Sequence, residues 1–317
     1  MNAVDVSIIV VNYNTAHLLD EMFAAVDAAT GALVVQKIVV DNASRDGSVA
    51  HTRARHPDVE LIANDDNVGF GRANNQGLAL ARGRYVLLLN TDAFVAAGGI
   101  ELSVRYMDAH PRCALLGARL LGRDGAQQPS CRYFPTPWNE FLVRTGLERW
   151  FPGTRLVDDP AWDPELPREC DWVPGCYYLL RKSVVDQVGL FDRRYFLYYE
   201  EVDHCRAIKA AGGQVMYFPG TTVVHIGGES ARSDAELSSA GRQIPALQIE
   251  SALLYYRKHH GLAGLCLGVA LAAVGDAMLA LKRLLRRRPR GAGDSFAHAR
   301  TTWALLRRTG WAQRPTR

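Results

Sequence analysis

Three apolar runs in the first 92 residues each stop at a polar side chain, and this repeated arrangement constrains the fold more than any other feature. They are Val6-Ser-Ile-Ile-Val-Val-Asn12, Lys37-Ile-Val-Val-Asp41 and Tyr85-Val-Leu-Leu-Leu-Asn-Thr-Asp92. Short runs rich in β-branched residues or leucine, bounded by polar groups, read as buried strands. Helical patterns lie between them, near 16–28, 46–55 and 71–81, with a further strand at Val59–Ala63 and a helix near 98–109. This strand–helix alternation predicts a parallel sheet with helices on both faces. Ligands of such sheets bind beyond the carboxyl ends of the strands, so Asn12, Asp41 and Asp92 are expected to face one crevice. Two carboxylates in a crevice suit a divalent cation and a nucleotide better than an apolar ligand, and the chain reads as an enzyme.

The alternation extends through the first 120 residues, and the regularity then stops. Residues 122–172 hold seven of the 14 prolines and four of the six tryptophans. Such a segment suits a structured lid or acceptor loop, and equally an irregular surface insertion. Order returns with a strand in Trp172–Leu180, helices at Ser183–Val188 and about Glu200–Ala211, and a strand at Gln214–Phe218. The six cysteines show neither a Cys-x-x-Cys pair nor zinc spacing, and no leader precedes the first strand. Reduced thiols in the cytoplasm are the simplest expectation.

The net charge of +4 conceals a split: from Ser251 onward 13 Lys and Arg face two acids, giving +11, and the preceding 250 residues carry −7. A basic tail on an acidic globule suggests an anionic surface as partner. Nucleic acid is not expected, because the first 250 residues show no basic patch with interleaved aromatics. Leu262–Leu281 carry one charge, Asp276, while Leu267, Leu271, Val274, Met278, Leu281 and Leu285 recur at helical spacing. That stripe, followed by Lys282, Arg283, Arg286, Arg287, Arg288 and Arg290, fits an amphipathic helix lying in a membrane interface better than a span. A helix packed on the catalytic domain is the alternative.

Several motifs carry candidate chemistry. Asp41-Asn-Ala-Ser44-Arg-Asp46-Gly-Ser48 offers a carboxylate able to accept from a base imide or a ribose hydroxyl, although Asp41 or Asp46 would equally cap the next helix. Asn67-Val-Gly69-Phe-Gly71-Arg72 places glycines and a guanidinium at a helix start, which suits a diphosphate. Asn90-Thr91-Asp92 is placed for a metal ligand. Tyr198-Tyr199-Glu200-Glu201-Val-Asp203 sets three acids at a helix start, where the dipole alone favours them. A buried member of that cluster would instead serve as a general base with a raised pKa. His225, before Gly227-Gly228, is either structural or a further metal ligand beside Asp92.

In combination, Val6 to Asn14, Val39 to Ser48, Asn67 to Gly77 and Leu87 to Asp92 resemble the family 2 inverting glycosyltransferases, most nearly the bacterial rhamnosyltransferase-like members. The resemblance runs from about residue 5 to 230. It implies the GT-A fold, a Rossmann-like, mostly parallel α/β sheet flanked by helices, here with a helical C-terminal appendage. Residues 1–260 would form the catalytic domain, 1–120 its nucleotide-sugar half and 121–260 its acceptor half, and 261–317 the membrane-associating tail. It further implies a nucleotide-diphospho-sugar donor and a Mg2+ or Mn2+ ion. The donor site would use Val11, Asn12, Tyr13, Asp41 (base recognition), Asn67, Gly69, Arg72, Asn90 and Asp92. Asp92 and His225 would hold the metal, and Trp172 and Gly175 would shape the acceptor site. Glu201 corresponds to the general base, but it stands where aspartate is usual, which leaves Glu200 and Asp203 as alternatives. Thr91 stands where proline is common. The implied activity is transfer of a sugar, L-rhamnose from dTDP-rhamnose, to a glycan or polyprenyl-linked hydroxyl in cell-surface polysaccharide synthesis, at the cytoplasmic face of the inner membrane. The alternatives are another UDP- or GDP-sugar, or a non-catalytic carbohydrate-binding derivative of the fold. A sugar-1-phosphate nucleotidyltransferase would carry a Gly-rich signature with Arg where Asn12-Tyr-Asn14-Thr15 stands.

Overall fold

The computed structural model describes residues 3–158, 162–227, 243–285 and 289–317. Two compact units divide the chain. The first comprises Met1–Arg132, Pro160–Arg193 and Glu200–Ala240, and the second Tyr133–Asp159, Arg194–Tyr199 and Gly241–Arg317.

The first unit begins β1 (Val6–Asn12), α1 (Ala16–Ala29), β2 (Val35–Asp41), α2 (Ser48–Arg55), β3 (Glu60–Ala63), α3 (Phe70–Leu78) and β4 (Tyr85–Asn90). β5 (Ala93–Val95), α4 (Gly99–Ala109), β6 (Cys113–Leu121) and β7 (Gln127–Gln128) follow. After the excursion through the second unit come β8 (Arg168–Glu169), β9 (Tyr177–Arg181), α6 (Lys182–Val188), α7 (Glu200–Ala210) and β10 (Gln214–His225). The sheet order is β3-β2-β1-β4-β9-β6-β10-β5. β3, β2, β1 and β4 run parallel to one another, as the alternation predicts. β9 enters antiparallel between β4 and β6, with Leu179 opposite both Leu87 and Leu116, so the sheet is mixed in its second half. Ile8, Val10, Val39, Leu87, Leu116 and Leu179 are buried to within 0 % exposure. Each such side chain contributes about 1.5–3 kcal/mol relative to exposure.

Three local departures from the sequence reading have physical causes. The expected strand from Trp172 begins only at Tyr177, because Pro174 and Gly175 interrupt the ladder and Trp172 instead bridges Arg132. β10 continues past Phe218 to His225, its register shifting between Phe218 and Thr222 where Pro219-Gly220 stand. β6 lies in a stretch where no element is expected from sequence. None of the six cysteines is in a disulfide.

The second unit is helical: α5 (Pro137–Thr145), a short 3-10 turn, α8 (Gln243–Leu285) and α9 (Pro289–Arg308). α5 starts in a capping box, Thr136 accepting from the Asn139 N–H while the Asn139 side chain accepts from the Thr136 N–H. α8 breaks at Gly261, whose φ of 66° is open to glycine at little cost. Beyond the break the helix turns its small and acidic face inward. Leu265, Gly275, Asp276 and Ala280 are buried, whereas Leu262, Leu267, Val274, Met278, Leu281, Leu284 and Leu285 are exposed. Gly268 permits the close approach, since a Cβ there would meet the Tyr256 ring at 3.2 Å. By length and composition α8 could cross a bilayer. Of the basic cluster, Arg286, Arg287, Arg288 and the Arg290 side chain lie outside the described residues.

Asp276 is neutralised within the unit. It accepts from Arg144 and, at 2.8 Å, from the His298 Nδ1–H, while the His298 Nε2 lone pair accepts from Arg144 Nη1 at 3.0 Å. Asp276→Ala is therefore expected to cost about 2–3 kcal/mol, because it strips a partly buried guanidinium of its counter-charge. A lowered urea midpoint in circular dichroism would show this, and an unchanged midpoint would mean the triad contributes nothing.

Candidate active site

Parallel register sets Asn12 opposite Asp41 and Val11 opposite Asn90, so the polar strand ends fall on one edge of the sheet. The loops there interlock. Asp41, 1 % exposed, accepts from Asn12 Nδ2 at 2.7 Å and from the Ser44 N–H at 2.9 Å. Asn14 holds φ 55°, donates its N–H to Ser44 Oγ at 2.9 Å and accepts from the Arg45 N–H at 2.7 Å. Thr15 does not cap α1. Its hydroxyl donates to Asn12 Oδ1 at 2.7 Å and lies 2.9 Å from the Thr91 hydroxyl. That contact gives Thr91 a role proline could not fill. Tyr13 is half-buried beside these groups in sequence. On the next loop, Asn67 accepts from Asn42 Nδ2 at 2.7 Å and from the Gly69 N–H at 3.0 Å. Gly69 takes φ 89° and ψ 160° before α3, a conformation essentially restricted to glycine. Arg72, in the first turn, donates Nε to the Arg193 carbonyl at 2.9 Å.

Asp92 and His225 come together. Their carboxylate Oδ1 and imidazole Nε2 stand 3.6 Å apart, too far for a hydrogen bond. Gln128 Nε2 donates to the His225 carbonyl at 2.9 Å, which turns its Oε1 toward His225 Nδ1 at 3.1 Å. Nδ1 must then carry the proton, leaving the Nε2 lone pair facing Asp92. Burial holds the His225 pKa below its ordinary value against the pull of Asp92, so the ring is neutral at pH 7. Two acceptors facing each other across 3.6 Å fit a cation between them. Asp92 is oriented by the Gly227 N–H at 3.0 Å on Oδ2. Nearby in the chain, the Asn90 Oδ1 is buried without a hydrogen-bond partner.

The acids at the start of α7 follow two tyrosines in left-handed conformation, Tyr198 at φ 71° and Tyr199 at φ 69°. Such backbone costs about 1–2 kcal/mol per residue and concentrates at functional sites. Glu200 and Glu201 each keep one carboxylate oxygen sealed from solvent with no hydrogen-bond partner. Burial pushes Glu200 well above the carboxylate range, and the Glu201 charge adds to it. Burial also raises Glu201, opposed by backbone N–H groups and the Arg132 guanidinium. Glu201 is the more exposed of the two and has the Arg132 guanidinium acting on it, which makes it the candidate base. Asp203 lies about 200° around the helix from Glu201 and does not share its direction. It is buried beside His204, which donates Nε2–H to the Gly189 carbonyl at 3.0 Å and accepts from Tyr178 at 3.1 Å. Desolvation lowers His204 to about 4, so this histidine stays neutral and structural.

Trp172 is buried, with the Arg132 guanidinium 4.6 Å above its ring. A Cβ at Gly175 would meet only Phe70, at 3.8 Å, so packing does not demand glycine there and the space beside it is open. Burial, with smaller contributions from Asp92 and then Glu201, pushes the Cys176 thiol upward, and Asn90 donates its N–H to the Cys176 carbonyl at 3.1 Å. The Asn90-Thr91-Asp92 segment is thus tied to the start of β9, where Asp92 and Glu201 both act on Cys176. Arg132, Gln128 and Cys176 were not legible as site residues: they lie in irregular or strand-edge segments without motif spacing. Thr15 and Ser44 flank residues that sequence does single out, and their types suit loop bonding.

Residues 7–157 match the glycosyl transferase family 2 model. The N-acetylglucosaminyl-diphospho-decaprenol L-rhamnosyltransferase of Mycobacterium tuberculosis is 28% identical over 236 residues, covering 69% of this chain and 75% of that one. Rhamnosyltransferase WbbL of Escherichia coli K12 is 26% identical over 177 residues, 52% of this chain and 63% of that one. A mannosyltransferase of Pyrobaculum calidifontis, solved with GDP-Man and Mn2+, superposes with a TM-score of 0.55 at 17% identity, over 99% of this chain and 89% of that one. The fold is GT-A, and the strand ends, glycine turn and Asn-Thr-Asp segment described above fall inside the matched span. The N-terminal half of the chain thus matches the glycosyl transferase family 2 model, and the chain is similar to bacterial rhamnosyltransferases.

Proposed function

We propose that the protein transfers L-rhamnose from dTDP-rhamnose, with inversion, to a hydroxyl of a polyprenyl-linked or glycan acceptor, using Mg2+ or Mn2+. The observation that carries the reading is a cation-fitting pair, Asp92 and His225, together with a half-buried glutamate whose carboxylate has an unsatisfied oxygen. The names of the two rhamnosyltransferase relatives support the sugar, and that of the Mycobacterium tuberculosis relative supports a lipid-linked acceptor.

Glu201 takes the proton of the acceptor hydroxyl, and the freed oxygen lone pair attacks the anomeric carbon. The bond to the nucleoside diphosphate breaks on the opposite face, so the configuration inverts. Asp92 and His225 would hold the divalent ion, whose charge offsets that developing on the leaving diphosphate. Arg72, anchored through Nε, adds a guanidinium at the start of α3. The interlocked Asn12, Asp41 and Ser44 loops would form the base and ribose pocket, and Gly175, with Trp172 behind it, the acceptor side. Incubation of the full-length protein with dTDP-rhamnose and a diphosphoprenyl-GlcNAc acceptor is expected to give product with inverted anomeric configuration. Transfer from a UDP- or GDP-sugar instead would replace the donor assignment, and no turnover of any donor would favour a binding protein.

The exposed stripe of α8 supports placement at the cytoplasmic face of a membrane, lying in the interface. Its large apolar side chains face outward while its glycines and Asp276 pack inward, the reverse of a soluble amphipathic helix. Full-length protein is expected to sediment with anionic vesicles, and a chain ending near residue 260 is expected not to. Salt should weaken binding and leave an apolar residual, because exposed charges are screened within roughly 8 Å at physiological ionic strength. Extraction by alkaline carbonate would distinguish an interfacial helix from a spanning one. Failure to bind vesicles at low salt would overturn the membrane placement.

A further inference from the structure

On α1 and α2, Asp20, His51 and His56 form a cluster to which none of the candidate active-site residues belongs. His51 Nε2 and His56 Nε2 both address one oxygen, Asp20 Oδ1, at 2.9 and 2.8 Å. Among the described residues, no other three His, Cys, Asp or Glu side chains bring ligand atoms within 4.8 Å of one another. From this convergence we propose a second metal site, in which the two imidazoles and the carboxylate bind zinc or a neighbouring transition-metal dication.

The donor set decides the class of ion. Two neutral imidazoles and one carboxylate suit Zn2+, Ni2+, Co2+ or Cu2+, whereas Mg2+ and Ca2+ prefer oxygen throughout. Geometry is close to what is needed. Zinc–ligand bonds near 2.0–2.1 Å at the tetrahedral angle put ligand atoms about 3.3 Å apart, so the present contacts need open by only about 0.5 Å. Each imidazole would carry its proton on Nδ1 and turn the Nε2 lone pair to the ion. The ligands are partly pre-placed: His56 ends α2, its N–H bonded to the Thr52 carbonyl, and its ring lies 4.5 Å from that of Phe23. All three side chains reach solvent, leaving the fourth position to water and the ion a route in.

The position gives the ion a consequence. Asp46 already ties the starts of both helices, accepting from the Ala16 N–H at 2.8 Å and the Ser48 N–H at 3.1 Å. A metal at Asp20, His51 and His56 would clamp α2 to α1 at its other end. Both loops that interlock around Asn12 and Asp41 would then be carried by a stiffened helix pair.

The test uses chelator-stripped full-length protein titrated with Zn2+, read by calorimetry, with Co2+ absorption as a second probe. Wild type is expected to bind one equivalent that Asp92→Asn and His225→Gln retain. His51→Gln and His56→Gln should each weaken that equivalent by about 100-fold or more, and remove the visible band of four-coordinate Co2+. Zn2+ should raise the wild-type Tm and not that of His51→Gln. Equal Zn2+ binding by wild type and both histidine variants, or none by wild type at micromolar concentration, would overturn the site and leave a hydrogen-bonded ion pair.

Discussion

Glu201→Gln is expected to lower turnover by about 10²–10⁴-fold while leaving donor binding nearly unchanged. The substitution keeps the shape of the side chain and removes its capacity to take a proton. Glu201 qualifies because one carboxylate oxygen is enclosed and without a hydrogen-bond partner, while the Arg132 guanidinium favours its charged form. Glu200→Gln tests the neighbour directly. If that variant is dead and Glu201→Gln is active, the base is Glu200 and the register of the Glu-Glu pair is shifted by one. The pH dependence has a definite sign. Burial raises the Glu201 pKa, so the carboxylate protonates at a higher pH than an exposed glutamate, and kcat/KM should fall as the pH drops through that raised value. The acid limb should therefore lie above the ordinary glutamate range, and the residual activity of Glu201→Gln should lack it.

The half of the fold built from local βα units was legible because its signals are local. Val6–Asn12, Val35–Asp41 and Tyr85–Asn90 are short, mostly apolar strands with polar ends, and parallel register alone brings Asn12, Asp41 and Asn90 to one edge. β6 was missed because Cys113-Ala-Leu-Leu-Gly-Ala-Arg-Leu-Leu121 has neither strand alternation nor helical spacing. It is a strand because β9 and β10 pair with it, partners more than 50 residues away in sequence. Arg132 and Gln128 were hidden for the same reason: they reach the site through a bridge to Trp172 and a carbonyl of His225, contacts that no periodicity encodes. Asp276 shows the converse. Its sequence context, one acid in an apolar stretch, is compatible with a strained span or a surface helix, and only Arg144 and His298 reveal a satisfied inward face.

Asp92→Ala is expected to abolish transfer, by about 10³-fold or more, with the fold retained. The carboxylate does two things that can be separated. It accepts the Gly227 N–H at 3.0 Å, a structural bond, and it faces the His225 lone pair across 3.6 Å, a cation-fitting gap. Asp92→Asn preserves an oxygen for Gly227 and loses the charge. If Asp92 serves to hold an ion, asparagine should be nearly as inactive as alanine, and if it only orders the turn, asparagine should restore most activity. His225→Gln should raise the metal concentration needed for half-maximal rate more than it lowers the saturated rate, since it removes a ligand and leaves the carboxylate. EDTA should silence the wild type. Restoration by Mg2+ alone would then point to the Asp92 pair, because the Asp20, His51 and His56 cluster has the wrong donors for Mg2+. Full activity in EDTA would remove the ion from the mechanism and leave Arg72, at the start of α3, as the cation proposed for the diphosphate.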